Sequence, residues 1–326
     1  MTGADSLRLA VLGCGRAAAL AGRALRRVPG VSCAYASRDP ERARRFARKH
    51  GGRAFGSYDE ALSASDVDAV LVATPPASHF ALALRAINCG KSVVLEKPPT
   101  LRSCELDALG TAAHLCGLRV MVAENYYYKP VARALRELIG EGVVGDLLFV
   151  HVNALKDQTA SGWRSDPELA GGGALFEGGI HWVDLLANLG PRVERVEGFL
   201  PGMNGTPALD RSVLAVFRYS TGAIGTLAYS WETRSALRGL RLSHAYGREG
   251  SIVFESNGLF LATWGRARRV VLPGLRDISG RRAMWADFAQ ALRENREPQY
   301  DLGHARRDLE LVEAVYASAR SAGRVL

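Results

Sequence analysis

Cysteine and lysine are both scarce in this chain of 326 residues. There are five cysteines, and all of them lie in the first 116 residues: Cys14, Cys33, Cys89, Cys104 and Cys116. Their number is odd and no two are spaced as C-x-x-C, so we expect neither paired disulfides nor a bound metal. Only five of the 42 basic residues are lysines: Lys49, Lys91, Lys97, Lys129 and Lys156.

Long apolar runs are also missing. The longest, such as Ala69–Ala73 and Ser92–Leu95, are far too short to cross a membrane. Asp5 and Arg8 stand near the start of the chain, where a signal peptide would need an apolar core. The sequence therefore predicts a soluble, cytoplasmic protein.

The formal net charge is +9. A basic charge balance is the first requirement for binding nucleic acid. The arginines are dispersed, however, and the densest basic stretches have no aromatic residues between them. We therefore expect no nucleic-acid partner. A hydrophobic share of 48% is that of a globular protein and excludes a disordered chain.

The first third of the chain alternates short apolar runs with segments of helical period, which predicts a doubly wound parallel α/β domain over residues 1–123. The predicted strands are Leu7–Leu12, Val31–Ala36, Ala69–Ala73, Ser92–Leu95 and Arg119–Ala123. The predicted helices are Arg16–Arg27, Pro40–His50, Ala77–Asn88 and Leu101–Cys116.

Residues 124–326 contain several strand-like stretches separated by turns, which predicts an α+β domain with a large, open, mostly antiparallel sheet. Predicted strands are Leu147–Val152, Ser212–Tyr219, Ala223–Trp231, Leu240–Tyr246, Ser251–Glu255, Leu259–Ala262 and Arg269–Leu272. Predicted helices are Pro130–Glu141, Ala174–Leu189, Arg282–Arg293 and His304–Ala322, the last of which we expect to pack back on the first domain.

A G-x-G-x-x-A motif follows the first strand and opens the first helix. It consists of Gly13, Cys14, Gly15, Arg16, Ala17 and Ala18. The first glycine allows a tight turn, the second allows close approach of a pyrophosphate, and the small Ala18 lets helix and strand pack closely. The motif predicts a dinucleotide site, although an ordinary strand-to-helix turn would look similar.

The second strand ends at Ser37-Arg38. An NAD site places a carboxylate here for the ribose 2′-hydroxyl, whereas a hydroxyl and a guanidinium suit a 2′-phosphate. Asp39 precedes Pro40 and Glu41, which suits a helix N-cap better than a ribose ligand. The sequence therefore predicts NADP as cofactor, with NAD as second choice.

Lys97 follows the strand Ser92–Leu95 within Glu96-Lys97-Pro98. A lysine at the carboxyl end of a parallel strand lies where doubly wound sheets bind ligands, and it can donate a proton to an alcohol or carbonyl oxygen. A surface lysine at a strand end is the alternative. The rarity of lysine in this chain favours the functional interpretation.

Several motifs in chain order resemble the Gfo/Idh/MocA oxidoreductase family. They are the glycine turn, Thr74-Pro75, Glu96-Lys97-Pro98, Trp163-Arg164, and the segment from Gly171-Gly172-Gly173 to His181 and Asp184. The resemblance implies a Rossmann domain, a C-terminal domain with an open sheet, dependence on NAD(P), and sugar or polyol substrates.

The resemblance also implies residue roles. Lys97 matches the lysine that polarises or protonates the substrate oxygen, and His181 matches the acid/base histidine. Thr74, Pro75 and His79 match the loop along the cofactor, and Glu96 matches a glutamate near the nicotinamide ribose. Trp163 and Arg164 match the pair at the nicotinamide end, and we expect Asn125 and Tyr126 to face the site.

Glu177 departs from the family pattern, which often has Asp four residues before the histidine. Residues four apart share a helix face, so Glu177 and His181 can both point into the crevice. Glu177 then either holds substrate differently or orients His181. Asp184, one turn beyond His181, fits a structural role at least as well as a place in the site.

The leading interpretation is hydride transfer between nicotinamide C4 and a secondary alcohol or ketone carbon of a cyclic sugar or polyol. Aromatic faces for the sugar could come from Tyr126, Tyr127, Tyr128, Trp163, Trp182 and Trp231, although aromatics are commonly core residues. Alternatives are a redox-elimination glycosidase, an imine or enone reductase, and a nicotinamide-sensing regulator. An exposed sheet face needs covering, so we expect a homodimer or homotetramer.

Overall fold

The computed structural model describes residues 6–202, 209–234, 239–266, 268–274 and 276–322. The chain divides into two compact units. Unit 1 comprises Met1–Glu124 and Arg281–Arg306, and unit 2 comprises Asn125–Gly280 and Arg307–Leu326. Unit 1 thus includes Arg281–Arg306, which is far along the chain from its other part. The amino-acid composition of this segment does not indicate that it belongs to unit 1.

Unit 1 is built on a six-stranded, all-parallel sheet of strand order β3-β2-β1-β4-β5-β6. The strands are β1 (Leu7–Leu12), β2 (Val31–Ala36), β3 (Arg53–Ala54), β4 (Ala69–Val72), β5 (Ser92–Leu95) and β6 (Val120–Val122). Strands β4 and β5 are buried along their whole length, as expected for a parallel sheet covered by helices. The chain order reverses beside β1, so the carboxyl ends of β1 and β4 flank a crevice.

The helices of this unit are α1 (Arg16–Leu25), α2 (Pro40–His50), α3 (Tyr58–Ser63), α4 (His79–Asn88), α5 (Ser103–Leu115) and α9 (Arg281–Arg293), with a 3₁₀ turn at Pro76–Ser78. Two of these helices begin after a residue whose side chain caps the first turn. Helix α2 begins after Asp39, whose carboxylate accepts the Glu41 N–H. Helix α3 begins after Ser57, whose side chain accepts the Glu60 N–H. The expected N-cap role of Asp39 is confirmed.

Unit 2 contains an eight-stranded sheet of order β14-β13-β12-β11-β7-β10-β9-β8. Its strands are β7 (Leu147–Leu155), β8 (Val193–Phe199), β9 (Ser212–Tyr219), β10 (Ile224–Ser230), β11 (Leu242–Gly247), β12 (Gly250–Glu255), β13 (Leu261–Gly265) and β14 (Arg269–Val271). Among the strand pairs that the described residues form in this sheet, β7 and β10 are parallel and the others are antiparallel. The predicted open, mostly antiparallel sheet is confirmed.

The remaining helices are α6 (Pro130–Gly140), α7 (Pro167–Ala170), α8 (Ile180–Ala187) and α10 (Leu302–Ala322), with a 3₁₀ turn at Gly162–Ser165. Every residue of α8 is buried, and the helix packs on β7 and β10. The predicted helix Ala174–Leu189 begins with a π-helical segment, Leu175–Gly179, before α8. Within the described residues, no helix is both long and apolar enough to span a membrane.

Candidate functional site

The glycine turn lies at the carboxyl end of β1. Gly13 has φ +104°, and a Cβ atom there would lie 2.6 Å from the Ala73 carbonyl oxygen. Its N–H donates to the Ala36 carbonyl at 2.9 Å. Only glycine combines this backbone conformation with so close a neighbouring strand.

Gly15 is the N-cap of α1, and no atom lies within 4 Å of where its Cβ would be. Arg16 is exposed, Ala17 is half-buried, and Ala18 is buried. Cys14 points inward, where its thiol donates to the Ala36 carbonyl at 3.7 Å, and burial raises the pKa of this thiol to about 11. The turn therefore offers backbone N–H groups and open space, which fits a pyrophosphate at a helix N-terminus.

At the tip of β2, Ser37 is 7% exposed and its hydroxyl accepts the Asp39 N–H at 3.3 Å. Arg38 is exposed beside it. The Asp39 Oδ1 accepts the Glu41 N–H at 2.9 Å, so this carboxylate serves as the N-cap of α2.

Two neighbours of this tip were not identified from sequence. The Nε of Arg42 donates to the Cys14 carbonyl at 3.0 Å, so the guanidinium lies beside the glycine turn. Burial raises the pKa of Tyr58, while the nearby Arg38 and Arg42 charges lower it. Arg42 follows Arg38 by four residues, but an Arg in the first turn of a helix is too common to be a signal.

His79 joins two loops at the carboxyl edge of the sheet. It is 1% exposed, with Nε2 2.8 Å from the Thr74 carbonyl and Nδ1 2.9 Å from the Pro98 carbonyl. Burial lowers its pKa, and the carbonyls oppose that shift. The structure therefore places His79 behind the loop, where it holds Thr74 and Pro75 against the Glu96-Lys97-Pro98 segment.

Lys97 and Glu96 are half-buried at the end of β5. Burial raises the pKa of Glu96, the positive charges of Lys97 and Arg281 lower it, and the buried Glu124 raises it further. Glu124 and Arg281, from unit 1, are further charged neighbours that the motif did not indicate.

In unit 2, Glu177 lies in the π-helical segment and is 7% exposed. Arg164 binds its carboxylate through Nε at 3.0 Å and Nη2 at 2.9 Å. The Arg164 guanidinium also lies 4.3 Å from the centre of the Trp163 ring. The structure therefore brings Trp163, Arg164 and Glu177 together.

His181 is 9% exposed and stacks on Tyr126, with ring centres 4.1 Å apart and an interplanar angle of 7°. Trp182 meets the same tyrosine edge-on at 5.2 Å, and the Lys129 ammonium lies 4.3 Å from its ring centre. This aromatic support fixes the plane of the imidazole.

Asp210 and Tyr316 hold the chain just before Glu177, and neither was identified from sequence. The Asp210 carboxylate accepts the Leu175 N–H at 3.0 Å and the Tyr316 hydroxyl. The Tyr316 oxygen in turn accepts the Phe176 N–H at 3.2 Å. A Cβ on Gly173 would lie 2.2 Å from Asp210 backbone atoms, which explains one glycine of the triplet.

Other residues that the sequence suggested for the site are buried or make contacts with other protein groups. Asn125 is buried and donates to the Ser279 carbonyl at 2.6 Å, and Asp184 accepts the Asn188 side-chain amide at 2.7 Å. Tyr128, Trp182 and Trp231 are 3–4% exposed core residues, and Tyr127 carries the Arg136 guanidinium on its ring. Among the described residues, no group of three or more His, Cys, Asp or Glu side chains is arranged to hold a metal ion.

Comparison with known families gives two matches along the chain. Residues 7–124 match the oxidoreductase family with an NAD-binding Rossmann fold, and residues 132–253 match the GFO/IDH/MocA C-terminal domain. The dTDP-3,4-didehydro-2,6-dideoxy-alpha-D-glucose 3-reductase of Streptomyces violaceoruber is 31% identical over 262 residues, 77% of this chain and 73% of that protein.

Other relatives match over shorter regions. Oxidoreductase P35 of Formosa agariphila is 32% identical over 57% of this chain and 61% of its own length. The trans-1,2-dihydrobenzene-1,2-diol dehydrogenase of Bos taurus is 30% identical over 60% of this chain and 59% of its own length. The chain thus aligns with about three fifths of these two relatives.

Solved structures share the fold. Levoglucosan dehydrogenase in complex with NADH and L-sorbose has a TM-score of 0.88 at 22% identity, covering 97% of each chain. A 3-ketoreductase from Actinomadura kijaniata with NADP and TDP-benzene has a TM-score of 0.85 at 24% identity, covering 97% of this chain and 98% of that one. With the domain matches and the Streptomyces relative, this chain belongs to the Gfo/Idh/MocA oxidoreductase family.

Proposed function

We propose that this protein is an NAD(P)-dependent oxidoreductase that transfers a hydride between nicotinamide C4 and a secondary alcohol or ketone carbon of a cyclic sugar or polyol. One observation carries the proposal. Gly13, Ser37, Thr74 and Lys97 follow four neighbouring parallel strands and therefore lie at the same edge of the unit 1 sheet. Doubly wound sheets bind nucleotides at this edge.

Lys97 and His181 form the proposed acid/base pair. When bound, the nicotinamide supplies the hydride chemistry, and the protein supplies orientation and charge. During oxidation His181 accepts the hydroxyl proton at an imidazole nitrogen, while the Lys97 ammonium stabilises negative charge on the substrate oxygen. In reduction the proton moves back to that oxygen.

Glu177 has a supporting role in this proposal. Its carboxylate is already engaged by Arg164 through two nitrogens, so it neutralises and orients that guanidinium. Arg164 and Trp163 then flank the nicotinamide end, and Tyr126, which stacks on His181, contacts substrate. Glu96 would lie near the nicotinamide ribose, while Thr74 and Pro75 would run along the cofactor.

NADP is the preferred cofactor in this proposal, since Arg38 and Arg42 supply two guanidinium groups at the tip of β2 and Asp39 is occupied as an N-cap. Arg16, Ala17 and Cys14 contribute the backbone around the pyrophosphate. The two solved relatives described above contain NADH or NADP, so the family accommodates both.

The test is absorbance of reduced nicotinamide across inositols, hexoses, aminosugars and nucleotide sugars, with NADP and NAD in parallel. Lys97→Met and His181→Ala should each lower kcat by about 10²- to 10⁴-fold, with NADP affinity nearly unchanged. Lys49→Met is the matched control, because Lys49 is exposed on α2. Undiminished turnover in either site variant overturns the assignment, and glycoside cleavage without net cofactor reduction identifies the redox-elimination alternative.

Self-association is a second part of the proposal. One face of the unit 2 sheet carries exposed apolar side chains, including Phe149 at 46% and Trp264 at 62% exposure. A homodimer or homotetramer packed through this face would cover them. A monomer mass by light scattering would contradict this.

A further inference from the structure

Lys156 lies on the face of the unit 2 sheet that is covered by α8, the helix of His181. We call this the inner face. Along β7, Val152 and Ala154 are buried on it, and Lys156 is the next residue of that alternation. The pairing with β10 continues this far, because the Lys156 N–H donates to the Ser230 carbonyl at 3.0 Å. Lys156 therefore extends the inner face at the carboxyl end of β7, where its side chain is half-buried.

Tyr229, near the end of β10, connects Lys156 with the π-helical segment that precedes His181. The Lys156 ammonium lies 5.5 Å from the centre of the Tyr229 ring. The Tyr229 hydroxyl reaches the π-helical segment, where a Cβ atom on Gly178 would lie 2.2 Å from its oxygen. The Trp231 indole N–H donates to the same oxygen at 3.0 Å, which fixes the ring. A single aromatic ring thus bridges Lys156 and the segment that leads into α8.

Arg241 approaches the same tyrosine from a neighbouring strand. It precedes β11, in which Leu242 is exposed and Ser243 and Ala245 are buried, so the alternation places Arg241 on the inner face. Strand β11 is antiparallel to β7, so β11 starts at the edge of the sheet where β7 ends. Burial raises the pKa of Tyr229, and the positive charge of Arg241 opposes that rise, as expected for neighbouring groups. Lys156 and Arg241 therefore lie at the same edge of the inner face.

The Arg241 guanidinium has a donor without an acceptor. Its Nη2 donates to the Asn257 side-chain oxygen, and the Arg241 backbone N–H donates to the Glu255 carboxylate at 3.4 Å. The Nε atom is buried, and it has no hydrogen-bond partner among the residues that the structure describes. Buried polar groups ordinarily have a partner, and a guanidinium bonds most strongly to an anionic oxygen. The unused donor therefore points to an acidic group on a ligand.

Positive charge exceeds negative charge around this edge. Two carboxylates lie near the pair of Lys156 and Arg241, and both have other contacts. Glu177 is bound by two nitrogens of Arg164. Glu255 accepts backbone N–H groups of the turn that follows β12. Among these five described residues, three cations face two carboxylates, which favours a ligand that brings a negative charge.

We propose that Lys156 and Arg241 bind an acidic group of the substrate, a carboxylate or a phosphate, while the reacting carbon lies at His181. Charge-assisted hydrogen bonds in a half-buried site are strong, and both side chains donate to anionic oxygens. The ring of Tyr229 lies between this anion subsite and the π-helical segment. The inference rests on the proposed oxidoreductase function and narrows its substrate to sugars that carry a negative charge.

The experiment measures binding and turnover with sugars that differ in charge. D-glucuronate, glucose 6-phosphate and UDP-glucose are the acidic probes, and D-glucose is the neutral probe. In calorimetry with the NADPH-loaded full chain, at least one acidic probe should bind about tenfold or more tightly than glucose. Its affinity should fall as salt is raised, because ions screen the attraction. The probe that binds best shows whether the acidic group is a carboxylate, a phosphate monoester or a diphosphate.

Variants test the two cations separately. Lys156→Met and Arg241→Met should each lower the ratio of acidic to neutral affinity by about tenfold or more, and Lys156→Arg should retain most of that ratio. Arg218→Met is the matched control, because Arg218 is exposed on the opposite face of the same sheet, and it should keep the ratio within about threefold. Far-UV circular dichroism checks folding, and Lys156→Met decides the outcome if Arg241→Met does not fold.

The results separate a failure of the anion subsite from a failure of the proposed reaction. Equal affinity for acidic and neutral probes, no binding of any acidic probe, or an unchanged ratio in the folded Met variants overturns the inference. Turnover of neutral sugars alongside any of these results leaves the oxidoreductase function in place. Binding of an acidic probe that depends on both cations, without turnover of any sugar, supports the anion subsite and removes the proposed reaction.

Discussion

Replacement of Arg42 tests how this protein distinguishes NADP from NAD. The Arg42 Nε is fixed by the Cys14 carbonyl at 3.0 Å, which holds the guanidinium beside the glycine turn. Hydrogen bonds to a charged group contribute about 1.5–3 kcal/mol, or about 10- to 150-fold in affinity. Arg42→Ser should raise the dissociation constant for NADP by that factor, because a 2′-phosphate would lose a charged partner.

The control for this prediction is Arg44→Ser. Arg44 lies on the same exposed helix and has the same charge, but it pairs with Glu41. Its loss should leave NADP affinity within about threefold, since a surface ion pair contributes little. Titration of nicotinamide fluorescence with NADPH and NADH, at low and high salt, measures both affinities.

Comparison of NADPH with NADH shows whether Arg42 recognises the 2′-phosphate or only supports the backbone at Cys14. Arg42→Ser should change NADH affinity by less than about threefold and should flatten the salt dependence of NADPH binding. Equal weakening of both cofactors would refute phosphate recognition, because it would mean that Arg42 only supports the backbone at Cys14. Tighter binding of NADH than NADPH by the wild type would refute the preference itself.

Three further predictions follow from buried contacts. Asp210→Asn and Tyr316→Phe should each lower kcat about tenfold or more with KM for NADP unchanged, because the loop before Glu177 loses its anchor; a KM increase with constant kcat would contradict this. Burial lowers the pKa of His79, so its contribution to stability is complete above about pH 6.5 and is lost as pH falls further. His79→Gln should therefore flatten the fall in urea-unfolding free energy between pH 7 and 5, and an unchanged slope would exclude His79 as its source. Gly13→Ala should abolish cofactor binding or folding, since its φ is +104° and a Cβ would overlap a carbonyl; normal NADPH affinity in a folded variant would contradict this.

The sequence predicted the parallel sheet well because its signal is local. Strands Leu7–Leu12, Val31–Ala36 and Ser92–Leu95 have the expected bounds, since each is a short apolar run between turns. Strand Val193–Phe199 was missed. It is an edge strand with charged, partly exposed residues, so its pairing with β9 has no signature in its own sequence.

The motifs also predicted the position of backbone elements better than the side-chain contacts around them. The glycine turn and the His181 helix lie where their patterns predict. The contact between Arg42 and Cys14 joins residues 28 apart, and that between Asp210 and Tyr316 joins residues 106 apart. Such pairs depend on the tertiary fold, and one sequence carries no spacing rule for them.

The five lysines of this chain lie in different surroundings. Lys91 is buried, with its ammonium 2.8 Å from each of two backbone carbonyls. Lys129 and Lys156 each place the ammonium over a tyrosine ring, and Lys97 stands at the carboxyl end of β5. Arg136 and Arg164 also lie over aromatic rings, so contact with a ring does not distinguish lysine from arginine in this chain. Lys49 is exposed on the surface of α2, and the other exposed basic residues of this helix are arginines. Lys97 differs from the other four in following a parallel strand at the edge where doubly wound sheets bind ligands, and this position, together with the ability of lysine to give up a proton, is the argument for a chemical role of Lys97.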